Sequence, residues 1–133
     1  MGSDTLIAVP DVIGDTVTQI RFDHAVTIVT DHSLLRIQTG FQFADGAGKL
    51  VIDPECARQF ANRILGALHR TVESCNYSKV GTMSVGLAGG AAITVKPSAR
   101  YEAWNFSISG DRPRLLVSKV GGGVAVWNEA IPS

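Results

Sequence analysis

The sequence predicts an α+β domain of mainly antiparallel strands, either one strongly bent sheet or two packed sheets, with one α-helix packed on it. Short alternating runs of apolar and polar residues are separated by turn residues, and a single stretch has helical periodicity. The pattern of the first strands also recurs after that stretch, so the sheet is predicted to be built from repeated meanders. We expect a single domain over residues 1–133, with residues 1–14 loosely ordered.

The first meander is predicted over residues 15–52. A strand runs from Thr16 to Asp23, and turns at Asp23-His24 and Asp31-His32 enclose a second strand. The third strand is a single long one with five side chains on one face: Leu35, Ile37, Thr39, Phe41 and Phe43. A glycine-rich loop and a short strand then complete this part of the chain.

A helix is predicted over residues 53–68. Asp53 is suited to the N-cap, Pro54 to the first helical position and Glu55 to the positive end of the helix dipole. Apolar side chains then recur at helical spacing, which indicates a buried stripe against a sheet: Ala57, Phe60, Ala61, Ile64, Leu65 and Leu68.

Residues 70–127 are predicted to form a second meander and the C-terminal strands. The segment from Thr71 to Tyr77 matches the segment from Thr16 to Phe22, with bulky groups at the same three offsets. Both segments break strict alternation at the same place, so we expect a β-bulge in each. The pattern leaves open whether the two meanders are a true duplication.

Composition and charge exclude several classes of partner. Twelve basic and twelve acidic residues cancel, and neither sign forms a block, so we expect neither nucleic-acid nor membrane binding. The apolar run from Thr5 to Pro10 is too short for a membrane span or a secretory signal. The two cysteines have no metal-binding spacing and are typical of a reducing compartment. We expect a cytoplasmic protein.

The most informative motif is Tyr101-Glu102-Ala103-Trp104. If this segment is a strand, Glu102 shares a face with Trp104, Phe106 and Ile108. A carboxylate on an apolar face must be paired, protonated or at the rim of a cleft. Two interpretations stay open. One is a structural carboxylate, held by backbone amides at a sheet bend or paired with an arginine such as Arg100 or Arg114, and the other is a residue of a binding cleft. The candidate binding residues are Tyr101, Glu102, Trp104 and Trp127.

Catalytic patterns are not found in the sequence. His24 and His32 each follow an aspartate in a predicted turn, and these turns lie at opposite ends of the second strand, about 20 Å apart. No serine lies in a nucleophile elbow, and the glycine-rich stretches lie between strands, where glycine serves turns. We therefore expect no catalytic residues, no metal site and no cofactor.

Four segments carry a resemblance to a known family: the Thr16-Val17-x-Gln19-Ile20-x-Phe22-Asp23 opening, the Asp53-Pro54-Glu55 helix start, Tyr101-Glu102-Ala103-Trp104, and Gly122-Gly123-x-Ala125-Val126-Trp127. Together they resemble the DUF6188 family of small, uncharacterised, mostly actinobacterial proteins. The Tyr-Glu-Ala-Trp motif is the most specific part. The resemblance implies a bacterial cytosolic protein and brings no activity or catalytic residues. The Ala99-Arg100 pair departs from it, because an acidic residue is expected there.

These observations favour a non-catalytic protein-binding module, comparable to the small immunity proteins that neutralise toxins in bacterial competition. The expected partner is another protein or a second copy of the chain, since edge strands can pair two copies into a homodimer. The alternative is a small-ligand binder or a small enzyme that uses Glu102 in a cleft.

Overall fold

In the computed structural model, which describes residues 5–128, the chain forms two six-stranded antiparallel sheets. This confirms the predicted fold class in its two-sheet form. The strands are β1 (Leu6–Ala8), β2 (Val17–Phe22), β3 (Val26–Thr30), β4 (Ser33–Ile37), β5 (Phe41–Asp45), β6 (Gly48–Ile52), β7 (Val72–Ser78), β8 (Met83–Leu87), β9 (Ala92–Val95), β10 (Trp104–Ile108), β11 (Arg114–Ser118) and β12 (Val124–Trp127). Sheet I has the order β1-β7-β8-β9-β5-β6, and sheet II has the order β12-β11-β10-β4-β3-β2.

The two sheets are built from the same unit with exchanged hairpins. In each half of the chain a three-strand meander (β2-β3-β4 or β7-β8-β9) is followed by a two-strand hairpin (β5-β6 or β10-β11). The first hairpin pairs with β9 of the second meander, and the second hairpin pairs with β4 of the first meander. Each sheet is therefore assembled from both halves of the chain, so neither half completes a sheet alone.

A symmetric set of backbone hydrogen bonds joins the starts of the two meanders. Thr16 pairs with its sequence equivalent Thr71 in an antiparallel bridge. The Val17 N–H donates to the Arg70 carbonyl (3.0 Å), and the Val72 N–H donates to the Asp15 carbonyl (2.8 Å). The register shifts between Val17 and Gln19 in β2 and between Val72 and Ser74 in β7. The predicted bulge is thus confirmed in both copies, and the copies face each other across an approximate two-fold axis.

Two expectations about the first half are wrong. The long third strand is two strands, β4 and β5, which lie in different sheets and are separated by residues 38–40. The alternation continues through this crossing because both strands bury their apolar faces in the same core. The N-terminal segment is also ordered from residue 5. Strand β1 pairs with β7, and Val9 and Val12 are buried; residues 1–4 lie outside the described residues.

The helix forms where it is predicted, but most of it is 3-10 helix. A 3-10 helix (Pro54–Phe60) leads into one α-helical turn, α1 (Ala61–Ile64), and a second 3-10 helix (Leu65–Ala67). The Asp53 carboxylate accepts the Glu55 N–H (3.0 Å), as expected of an N-cap. This helical segment contacts the edge strands β2 and β6 and closes that side of the sandwich. Among the described residues, no helix has the length and apolar character needed to cross a membrane.

The opposite side of the sandwich is closed without a helix. The 3-10 turn Pro10–Val12 packs against β7, and the Asp11 carboxylate accepts a hydrogen bond from the Arg114 guanidinium of β11. Between the sheets lies one continuous hydrophobic core, whose largest fully buried side chains include Trp104, Phe43, Ile37, Ile52, Ile64 and Met83. The two sides of the molecule therefore differ in what covers them.

Candidate functional site

Glu102 does not lie on an apolar strand face, so the expectation that singled it out is wrong. Strand β10 begins only at Trp104, and Glu102 is exposed in the segment before it. The hydroxyl of Ser98 accepts the backbone N–H groups of Arg100 and Tyr101, which turns the chain before the strand begins. The alternation of buried and exposed side chains expected of a strand therefore does not hold in this motif, and the side chains of Tyr101 and Glu102 both face solvent.

The structural ion pair considered for Glu102 does not form. Arg114, one of its two expected partners, pairs with Asp11 instead. Within residues 5–128 no ion pair includes Glu102. This carboxylate is an exposed group whose surroundings define a surface feature.

That feature is an open groove of about 490 Å³ at one corner of sheet II, which we name the corner groove. It is lined by His24, Arg36, Gln38, Arg100, Tyr101, Glu102 and Val120. The Arg36 guanidinium lies 3.8 Å from the Asp23 carboxylate at its edge. Two guanidinium groups, a carboxylate and a phenol thus surround a shallow space, a lining able to bind a polar ligand that carries a negative group.

Trp104 is part of the core and not of a binding surface, which corrects its place among the candidate residues. Its indole N–H donates to the Gly81 carbonyl (2.8 Å) in the turn between β7 and β8. Its ring lies 6.4 Å from that of Tyr77, measured between centroids. Because Trp104 belongs to sheet II and both neighbours lie in or beside sheet I, this side chain ties the two sheets together.

Trp127 is half-exposed, with 52% of its surface accessible, on the outer face of the edge strand β12. Directly opposed residues on paired strands share one face of the sheet, so a row of neighbouring side chains extends from Trp127 across sheet II. We name this set the apolar row, and it runs through Trp127, Leu115, Ser107, Leu34 and Val29. Leu115 is exposed, and Leu34 and Val29 are partly exposed. Sequence reasoning found Trp127 but missed the others, because the strand registers were unknown.

The equivalent row on sheet I has a different chemistry. It runs through Ser74, Gly86, Ala92, Ala44 and Lys49, which are equivalent in the repeat to Gln19, Val29, Leu34, Ser107 and Leu115. Sheet I has no equivalent of Trp127, because β12 lies beyond the repeat. None of these five sheet I side chains is a large apolar one. At these positions sheet I is therefore small and polar, whereas sheet II carries aliphatic side chains. Exposed apolar side chains on the outer face of sheet I lie elsewhere, at Val51 and Leu6.

A polar cluster at the turn between β3 and β4 was also missed. The buried carboxylate of Asp15 accepts the His32 backbone N–H (3.0 Å) and the Thr30 hydroxyl (3.1 Å), and its second oxygen lies 3.0 Å from His32 Nδ1. This contact with Asp15 raises the pKa of the His32 imidazole above its usual value. Sequence reasoning paired His32 with the adjacent Asp31, and nothing in the sequence indicates a partner 17 residues away.

The buried cysteine and the clustering of possible metal ligands are two further points of chemistry. Burial raises the pKa of the Cys75 thiol to about 12, so it stays protonated at neutral pH. Over residues 5–128, no group of three or more His, Cys, Asp or Glu side chains is placed to hold a metal ion. Among the surface features that remain are the corner groove and the apolar row, both on sheet II, and a groove of about 620 Å³ at the β10–β11 turn, lined in part by Asp11 and Asp111.

Comparisons with known proteins agree with the motifs of the sequence. Residues 8–128 match the model of DUF6188, described as a family of unknown function. No curated protein matches the chain, and no solved structure matches it. The match spans nearly the whole chain and includes both meanders and the Tyr-Glu-Ala-Trp motif, so this protein belongs to the DUF6188 family.

Proposed function

We propose that this chain is a non-catalytic protein-binding module of the bacterial cytoplasm, and that it binds its partner through the outer face of sheet II. The observation that carries the proposal is the contrast between the two equivalent outer rows. Three of the five equivalent positions are aliphatic in sheet II (Val29, Leu34 and Leu115), whereas sheet I has glycine, alanine and lysine there. Strand β12, which has no counterpart in sheet I, adds the exposed Trp127 beside Leu115.

An apolar row of this kind is typical of interaction surfaces. Exposed apolar side chains are stabilised when a partner covers them and removes them from water. Tryptophan is enriched among the residues that dominate binding. The neighbouring outer row of sheet II carries Arg21, Arg36 and Asn105, which would supply a polar rim.

The test begins with affinity capture from the native host, using the wild-type chain as bait. The captured protein is identified and purified, and its affinity for the chain is measured by calorimetry. Leu115→Ser and Leu34→Ser should each weaken binding about tenfold or more, because a buried leucine contributes about 1.5–3 kcal/mol. Val51→Ser is the matched control, since Val51 is 78% exposed on sheet I.

The proposal requires that the control retain wild-type affinity. Equal loss in Val51→Ser, or unchanged affinity in both leucine variants, would place the binding surface elsewhere. Circular dichroism and thermal unfolding of each variant separate a lost contact from a lost fold.

A second candidate function is binding of a small polar ligand in the corner groove, favoured by the convergence of Arg36, Arg100, Tyr101 and Glu102 on one space. Mass spectrometry of denatured protein purified from the native host would detect a retained compound. A compound that is bound by the wild type and lost in Glu102→Gln and Arg36→Ala supports this candidate. Absence of any retained compound leaves the protein-binding role as the stronger one.

A further inference from the structure

Among residues 5–128, no strand pairs with the outer edge of β12, and two of its residues direct their backbone groups outward. The Lys119 N–H donates to the Gly123 carbonyl (2.9 Å), which sets the alternation of the β11–β12 ladder. By this alternation, Ala125 and Trp127 direct their N–H and C=O groups towards β11. Val124 and Val126 direct theirs away from the sheet. These outward groups form a template for one more antiparallel strand.

The other sheet edges are protected in ways that β12 is not. On β6, Lys49 is exposed and Arg63 donates to the Gly48 carbonyl (2.7 Å) at the start of the strand. On β2, the bridge from Thr16 to Thr71 and the helical segment cover the edge. Strand β1 is only three residues long. Strand β12 has four residues and no charged side chain.

Val126 has an exposed apolar side chain that a partner strand would bury. It lies on the inner face of sheet II opposite the fully buried Leu116, yet 46% of its surface is exposed. The edge of sheet II thus extends beyond the cover that sheet I provides. A further strand beside β12 would bury this side chain and satisfy the outward backbone groups together.

We propose that two copies of the chain form a dimer by antiparallel pairing of β12 with β12 of the second copy. A two-fold axis perpendicular to the sheet keeps both outer faces on one side. With Val126 opposite Val126 of the second copy, Val124 lies opposite Asn128, and the three pairs supply about six backbone hydrogen bonds. The dimer has one continuous sheet made from two copies of sheet II.

Charge favours a second copy over a strongly charged partner at this edge. The formal net charge is +0, so two copies meet without net repulsion. The pairing also brings the Lys119 end of one β12 towards the Asn128 end of the other. A groove there of about 620 Å³ is lined by Asp11 and Asp111 together with Pro10, Arg112, Pro113, Arg114 and Asn128. Asp11 is paired with Arg114, and within residues 5–128 no ion pair includes Asp111. The carboxylate that would face Lys119 is therefore Asp111, which lies beside Arg112 in this lining.

The dimer goes beyond the proposed function and does not depend on it. In this arrangement the apolar rows of both copies lie on the same side of one sheet, with the two Trp127 side chains near the centre. A partner protein would then meet a surface twice as wide.

The test is the mass of the purified full chain by light scattering and sedimentation over about 5 to 500 µM. We expect twice the chain mass of 14.1 kDa for the wild type at the upper concentrations. Val126→Pro removes one outward N–H at the two-fold axis and should give the single-chain mass throughout. Val51→Pro is the matched control, because Val51 also directs its N–H outward, from the edge strand β6.

A second variant and a second readout secure the result. If Val126→Pro fails to fold, Val126→Lys, which places a charge beside the edge, must give the single-chain mass. Hydrogen exchange should show the amides of Val124 and Val126 protected only at dimer-forming concentrations. A wild type that stays a single chain at every concentration, or a dimer lost in Val51→Pro and kept in Val126→Pro, would overturn the proposal. Partner capture is read separately through Leu115 and Leu34, so the two proposals can fail independently.

Discussion

Sheets I and II have the same topology over five strands, but they have diverged on their outer faces. The row Ser74–Gly86–Ala92–Ala44–Lys49 of sheet I occupies the positions held in sheet II by Gln19, Val29, Leu34, Ser107 and Leu115. The inner faces of both sheets remain apolar, because they share one core. Outer positions are free of that packing requirement, so their divergence points to a role outside the fold.

The added strands increase the asymmetry. Sheet I has β1 beyond its repeat, and sheet II has β12 at the opposite end of its own. The helical segment contacts the edge strands β2 and β6 on one side of the sandwich, whereas on the other side, within residues 5–128, no strand pairs with the outer edge of β12. The repeat thus accounts for the shared core, and the departures from the repeat are the features on which the two proposed interaction sites are based.

The largest effect is expected from the tryptophan that joins the two sheets. Trp104→Ala removes a fully buried side chain and its hydrogen bond to Gly81, and should lower the free energy of unfolding by about 3–5 kcal/mol. Trp127→Ala, on the outer face of sheet II, should lower it by about 1 kcal/mol or less. Urea unfolding measures both. Similar costs would mean that Trp127 is also a structural residue.

The next effect concerns Asp15 and Arg70, which occupy equivalent positions in the two copies of the repeat. Each holds a turn through hydrogen bonds, but one is a carboxylate and the other a guanidinium. Asp15 anchors the β3–β4 turn. Arg70 donates to the Ala88 carbonyl (2.8 Å) of the β8–β9 turn and to the Gly66 carbonyl (2.7 Å) of the helical segment, and so joins the two. Asp15→Ala should cost about 1.5–3 kcal/mol, because three hydrogen bonds to a charged group are lost. Arg70→Ala should cost less, since Arg70 is partly exposed. A larger cost for Arg70→Ala in urea unfolding would contradict this ranking.

A smaller effect tests whether the two copies share one backbone geometry. Gly14 has a φ of +93°, and its equivalent His69 has a φ of +67°. Among residues 5–128, His69 is the one non-glycine residue with a positive φ. Gly14→Ala should destabilise the fold by about 1 kcal/mol, because a side chain in the left-handed region is strained. Gly46→Ala is the control, since a Cβ at that position also has open space around it and its φ is not in the left-handed region. Equal thermal stability of the two variants would contradict the expectation that backbone strain at position 14 causes the loss.

The smallest effect is pH-dependent and belongs to the first copy alone. The hydrogen bond to Asp15 raises the pKa of His32 above 6.5, so charged His32 stabilises the folded state. This contribution is complete below the unfolded value of about 6.5 and is lost as the pH rises through the higher folded pKa. His32→Gln should therefore lose more stability, relative to the wild type, at about pH 5.5 than at about pH 9. In an Asp15→Asn background that difference should disappear, and its persistence would assign it to another group.

Local patterns in the sequence predicted a large part of the fold. The helix start at Asp53, the two meanders and the bulge in each copy follow from alternation, capping and turn residues, which act between near neighbours. The break between β4 and β5 was not predictable, since both strands continue one alternating pattern while they enter different sheets. The same limit affected Glu102, whose exposure depends on where β10 begins.

The candidate surface was predictable only in part. Trp127 stood out as an aromatic residue near the end of the chain, but the apolar row depends on registers among five strands that are distant in sequence. The contact between Asp15 and His32 also joins residues that are distant in sequence, because the pairing of β2 with β3 brings them together. Strand pairing of this kind is a long-range event and has no signature within a short window of sequence.

By itself, the sequence determined which segments are extended, where the helix begins, and that the two meanders repeat. Those properties depend on backbone preferences and on side chains a few residues apart. Only the tertiary structure decided that the hairpins are exchanged, that Trp104 is core and Glu102 is surface, and that an apolar row forms on the outer face of sheet II. Each of these depends on which strands become neighbours, and that choice is made by burial of a common core.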